Sequence, residues 1–175
     1  MKRSELEHLI RVAGQIADDT EIVVIGSQAI LGQFPNVTGL LARSAEADVF
    51  PLNRPEQAER IDGAIGEGSR FHEEFGYYAQ GVDEHTAILP QGWRDRLIRI
   101  QTAATDGRAG LCLEVHDLAI SKYVAGRDKD LEFTAELARH AMLDPSTLRQ
   151  RLRDTDVSPK LRAIIQARIR RDFHK

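Results

Sequence analysis

The spacing of apolar residues changes character twice along the chain. After Ser4, the residues Leu6, Ile10, Val12 and Ile16 recur at near-helical intervals, which predicts a first amphipathic helix. Ile22, Val23, Val24 and Ile25 are four consecutive β-branched residues ended by Gly26-Ser27, which predicts a strand over 21–25 buried on both faces. QAIL then opens a short helix over 27–33, and a connection containing Pro35, Asn36 and Gly39 leads to SAEADVF, a strand over 45–50 in which small or apolar residues alternate with acidic ones. Pro55 suits the first turn of a helix that runs to Gly66. Between Gly76 and Val115 the runs YYAQGV, TAIL, RLIRIQT and LCLEV read as strands separated by Gly, Pro and Asp. Beyond His116 the pattern is helical nearly to the end, with fresh starts at Asp144-Pro145 and Ser158-Pro159, each an N-cap followed by proline.

Strands in the first two thirds and helices in the last third predict an α+β fold, a mixed sheet flanked by helices with a helical C-terminal region. We expect an α/β core over 1–142 and a helical extension over 143–175 packed on it. With 175 residues, 42% hydrophobic and 29% charged, the chain can bury a core of that size. Cys112 is the single cysteine, so no internal disulfide can form. No apolar stretch approaches the roughly 20 residues that span a bilayer, and MKRSELEHLIRVAGQI lacks the apolar core of a secretion signal, so a cytoplasmic protein without membrane association is expected.

The candidate chemistry begins at Glu46 and Asp48. Residues two apart on a strand project from one face, so both carboxylates converge while Ala45, Ala47 and Val49 take the other face. Their repulsion calls for a cation, and a hard divalent ion with oxygen ligands, Mg²⁺ or Mn²⁺, meets it. The same pair also suits the solvated face of an edge strand. A turn at Gly26-Ser27, where a buried strand gives way to a helix, points backbone N–H groups outward and can hold phosphate, although strand-Gly-Ser turns occur throughout α/β folds.

Together, a hydrophobic strand ending in Gly26-Ser27 and a following strand with Glu46-x-Asp48 resemble the signature of the nucleotidyltransferase superfamily with the DNA-polymerase-beta type of fold. The resemblance covers residues 20–51 and departs from the family pattern at Glu46, where Asp is usual. It implies that Glu46 and Asp48 are catalytic metal ligands, that Gly26 and Ser27 contact the phosphates of a nucleoside triphosphate, and that a nucleoside monophosphate passes to an acceptor.

LEVHDLAISKYVAGRDKDLEF, over 113–133, is similar to the later motifs of a minimal branch of that superfamily, which contains abortive-infection and toxin–antitoxin nucleotidyltransferases. Lys122, Arg127, Lys129 and Asp130 stand at the matching positions. The resemblance implies that Lys122 and Arg127 bind the nucleotide and that Asp130 is a further acidic, catalytic member of the site. On an unbroken helix Lys122 and Asp130 would lie roughly 80° apart, and Gly126 is the residue that can break it. The alternative is an exposed charged face held by local ion pairs.

Charge is uneven. Residues 149–175 carry nine Lys or Arg against three Asp, a local +6, which leaves −9 for residues 1–148. Leu161, Ile164, Ile165 and Ile169 form an apolar stripe in the last helix, so its basic side chains, among them Arg168, Arg170 and Arg171, lie elsewhere and form a face expected either to attract RNA, DNA or an acidic protein partner or to neutralise the chain's own acidic body. The acceptor classes left open are tRNA or other RNA, a protein hydroxyl and a small molecule. The competing expectation is a catalytically inactive member of the same fold, acting as a nucleotide sensor or with a cognate protein in a toxin–antitoxin or antiphage system. His72 in FHEEF has no second histidine four residues on, so a zinc-protease arrangement is excluded, and Trp93 is expected to pack a turn.

Overall fold

The computed structural model describes residues 1–174. Its central strand is β1 (Glu21–Val24), in which Ile22, Val23 and Val24 are fully buried, as β-branched residues with no polar alternation require. On one side β1 pairs antiparallel with β2 (Glu46–Pro51), and β3 (Tyr78–Gly81) continues the sheet parallel to β2. On the other side β5 (Ala109–Cys112) runs parallel to β1, and β4 (Ile98–Ile100) closes that edge antiparallel to β5. The order β3-β2-β1-β5-β4 is a mixed sheet, and with its flanking helices the fold is the expected α+β class.

Helix α1 (Arg3–Ala17) buries Leu6, Leu9, Ile10, Ala13 and Ala17. Leu6 and Ile10 therefore lie on the core stripe as read from the sequence. Val12 and Ile16 flank it half-exposed, because small Ala13 and Ala17 occupy the positions a helical period requires. A 3₁₀ turn at Ser27–Ala29 leads into α2 (Ile30–Gln33), and α3 (Ala58–Ile65) follows the turn opened by Pro55. α4 (Arg70–Phe75) was not expected. Its start is fixed by Ser69, whose hydroxyl accepts from the His72 N–H, and its end by Gly76 at φ 76°.

Two strand expectations are corrected. TAIL forms no strand: Glu84–Thr86 is a 3₁₀ turn, and Ile88 is 46% exposed, so its apolar side chain has no sheet face to cover. LCLEV leaves the sheet after Leu113, whose N–H still donates to the Val24 carbonyl at 3.1 Å, because the Glu114 carboxylate turns to cap the next helix, accepting from the N–H groups of His116 and Asp117.

Asp19 locks the start of β1 to the end of β2. Its carboxylate, 6% exposed, accepts from the backbone N–H groups of Glu21, Asn53 and Arg54 and from the Asn53 amide, at 2.8–3.1 Å. Burial pushes its pKa up, but these four donors prevail and hold it below the ordinary value. Asp19→Ala should therefore cost about 2 kcal/mol at neutral pH, from three stranded N–H groups. A carboxylate with a depressed folded-state pKa stabilises above its unfolded value and loses that contribution as pH falls through the folded value. Melting curves of wild type and variant should thus converge only below about pH 4.

The chain forms two compact units, 1–86 with 97–113, and 87–96 with the residues from 114 onward. The first holds the sheet. In the second, α5 (Val115–Ala125) touches α6 (Asp128–Arg139), α7 (Pro145–Arg153) and α8 (Pro159–Phe173), and buries Val115, Leu118, Ala119, Ile120 and Tyr123. Asp144 and Ser158 cap α7 and α8 as their positions before proline predict. The loop 87–96 belongs here because Arg96 clamps the buried Asp117 through two nitrogens at 2.8 and 3.0 Å, while Arg151 approaches the same carboxylate at 3.1 Å. Burial pushes the Asp117 carboxyl up against the pull of both arginines. Among the described residues, no helix is long and apolar enough to cross a membrane.

Candidate functional site

The first group of expected site residues lies in the sheet unit. At the end of β1 the Ile25 N–H donates to the Asp48 carbonyl at 3.0 Å, which sets β2 beside the Gly26-Ser27 turn. Glu46 and Asp48 are half-exposed while Ala47 and Val49 are fully buried, so both carboxylates project from the same face. The Asp48 carboxylate rests against Gly26, where an added Cβ would collide with Oδ2. Gly26 has φ −76°, so glycine is required here for close approach rather than for backbone freedom. Gly26, Ser27, Glu46 and Asp48 are thus brought together on adjoining strand ends.

The parallel register between β2 and β3 sets Tyr78 opposite Glu46 and Gln80 opposite Asp48, adding two polar side chains to this face. The Tyr78 hydroxyl donates to Glu46 Oε2 at 3.1 Å. Burial, then the charge of Glu46 and its hydrogen bond, push the Tyr78 pKa up to about 12, so the phenol stays a donor at neutral pH and occupies one oxygen of Glu46. The His72 ring lies 4.5 Å from the Tyr78 ring. Tyr78 was missed in the sequence; YYAQGV shows a strand there, but not the strand it would join.

Among the described residues no group of three or more His, Cys, Asp or Glu could hold a metal ion. Two carboxylates on one face still fit Mg²⁺, which keeps waters and is commonly held by one or two carboxylates together with substrate phosphates. The donor set therefore suits a metal that arrives with a polyphosphate, not a free-standing metal centre. Cys112 offers no nucleophile: it is fully buried and burial pushes its thiol up to about 12.

Lys122, Arg127 and Asp130 lie together in the helical unit. Gly126, at φ 65°, ends α5, and α6 begins after Arg127. The break brings Lys122 Nζ to 3.2 Å from Asp130 Oδ1, and Arg127 Nε to 2.6 Å from Oδ2. Asp130 is 1% exposed. Burial pushes its carboxyl up, but the Arg127 hydrogen bond and the Lys122 charge prevail and hold it below the ordinary range. Arg168 fills the space a Gly126 side chain would take and donates to the Tyr123 carbonyl at 2.6 Å, bracing the end of α5. Trp93 carries the Arg94 guanidinium over its ring at 5.0 Å.

A mixed sheet in which a buried strand ends in Gly-Ser, beside an antiparallel strand bearing two carboxylates on one face, is consistent with a nucleotidyltransferase-like fold. Residues 4–173 match the family described as nucleotidyltransferase of unknown function (DUF6036), and the chain belongs to that family. No curated protein and no solved structure matches it.

Proposed function

We propose that the protein transfers a nucleoside monophosphate from a nucleoside triphosphate to an acceptor hydroxyl, at the face where Glu46 and Asp48 meet Gly26. The observation that carries this reading is the contact of the Asp48 carboxylate with Gly26, which sets an anionic side chain against the turn opening at Ser27. Glu46 and Asp48 would hold Mg²⁺ or Mn²⁺, which when bound offsets charge on the phosphate oxygens. Gly26 leaves the backbone open to the phosphate tail, and the Ser27 hydroxyl can donate to it. The acceptor oxygen attacks the α-phosphorus, the bond to the bridging oxygen breaks, pyrophosphate leaves and the acceptor proton passes to solvent or a carboxylate.

Phosphate binding by Lys122 and Arg127, and an acceptor-orienting role for Asp130, rest on the resemblance, as do the abortive-infection and toxin–antitoxin branch and a cytoplasmic location. The acceptor is an RNA such as tRNA, a protein or a small molecule. A second reading, an inactive nucleotide sensor or partner-binding protein of the same fold, draws on how fully the charged groups are engaged: Tyr78 holds Glu46, and Asp130 is taken by Lys122 and Arg127. Incubation with each triphosphate, Mg²⁺ and tRNA or protein acceptors separates the two. Metal-dependent pyrophosphate release that is lost in a Glu46→Gln/Asp48→Asn double variant is expected; triphosphate binding without release under every acceptor would favour the sensor.

A further inference from the structure

Helices α7 and α8 enclose a groove of about 440 Å³. Leu152, Ile169 and Phe173 form its floor, and Arg149, Arg153 and Arg170 stand along its rim, all three exposed. Its lining on α8 runs from residue 162 to residue 173, about 16 Å or three helical turns. Of the other arginines of this segment, Arg151 is engaged on Asp117, Arg168 on the Tyr123 carbonyl, Arg171 on Asp172 and Arg162, which also lines the groove, on the Leu152 and Thr155 carbonyls, while the rim residue Arg153 donates to the Gln150 amide oxygen. Asp172 in turn accepts from Tyr123 and Thr134, so its charge is spent away from the rim. The basic C-terminal face expected from the sequence is thereby narrowed, since of Arg168, Arg170 and Arg171 only Arg170 lines the groove.

We propose that this groove receives an acidic amphipathic helix of a partner protein. Its apolar side chains would seat on Leu152, Ile169 and Phe173, and its Asp or Glu residues would pair with the rim arginines. An apolar floor drawn from both helices, Leu152 on α7 with Ile169 and Phe173 one turn apart on α8, and flanked by cations, has the character that a helix with apolar anchors and acidic shoulders complements. The arginines offer planar two-pronged donors suited to carboxylates. Nucleic acid fits the floor less well, because stacking successive bases needs several aromatic platforms and the floor offers one phenyl ring. This inference does not depend on the proposed transfer reaction.

The test uses the full-length chain and a fluorescein-labelled synthetic peptide of about four turns, with Leu at helical spacing and Glu on both flanks. A peptide of identical composition without the helical pattern and single-stranded poly(U) RNA serve as comparison probes. The patterned peptide is expected to raise the anisotropy, to weaken about tenfold on Arg149→Glu/Arg170→Glu, and to weaken with added salt. Arg149→Gln/Arg170→Gln should show an intermediate loss. Both rim residues are exposed, and unchanged melting temperatures will confirm that the variants fold. Equal binding of the two peptides, tighter binding of poly(U) through the same arginines, or no binding of the patterned peptide would each overturn the proposal.

Discussion

Asp130→Ala should lower the melting temperature by roughly 6–12 °C, the equivalent of about 3 kcal/mol in a chain of this length. The Asp130 carboxylate is 1% exposed and neutralises Lys122, itself only 14% exposed, so removing it leaves a largely buried ammonium without its anion. Arg127, at 60% exposure, loses little, and for that reason the expected cost sits at the low end for breaking a buried pair. Lys122→Met combined with Asp130→Leu should recover much of the loss, because replacing both charges with apolar groups leaves nothing unpaired. The pH dependence has a definite sign. Asp130 has a depressed folded-state pKa, so its contribution is present above the unfolded value near 4 and disappears as pH falls through the folded value. Calorimetry at pH 7 and pH 3 measures both; an unchanged melting temperature at pH 7 would remove the structural role of the pair.

The residues legible in the sequence are those whose geometry is local. Four β-branched residues mark β1, and a period of two places Glu46 and Asp48 on one face wherever β2 pairs. The N-caps at Asp144 and Ser158 depend only on the following turn. Most of what escaped depends on contacts distant in sequence, α4 with its local Ser69 cap and Gly76 stop being the exception. Tyr78 reaches Glu46 because β3 lies parallel to β2, 32 positions away, and no local pattern specifies that pairing. TAIL has strand-like composition but no partner strand, and its Ile88 remains in solvent. Helical periodicity alone separates Lys122 from Asp130, and Gly126, which the sequence already offers as a helix breaker, adopts the left-handed conformation that reunites them. Arg168 reads as part of a basic surface, yet it braces the carbonyl end of α5.

Asp48→Asn should weaken Mg²⁺-dependent triphosphate binding about a hundredfold, from the loss of roughly 3 kcal/mol in a charge-assisted contact. Glu46→Gln should weaken it by only about tenfold. The asymmetry follows from the neighbours. Asp48 rests on Gly26 at the turn, whereas Glu46 already shares one oxygen with the Tyr78 hydroxyl, and a glutamine oxygen can still accept that bond. Gly26→Ala provides a test that leaves every charge in place: the new Cβ collides with Asp48 Oδ2, so the carboxylate must move and binding should fall nearly as far as in Asp48→Asn. Titration calorimetry with a non-hydrolysable triphosphate, with Mg²⁺ and then with a chelator, measures all three. If Glu46→Gln proved the more damaging, or a well-folded Gly26→Ala protein bound like wild type, the contact between Asp48 and Gly26 would not be what organises the site. Binding that was equal in every variant and indifferent to the chelator would place the triphosphate elsewhere on the protein.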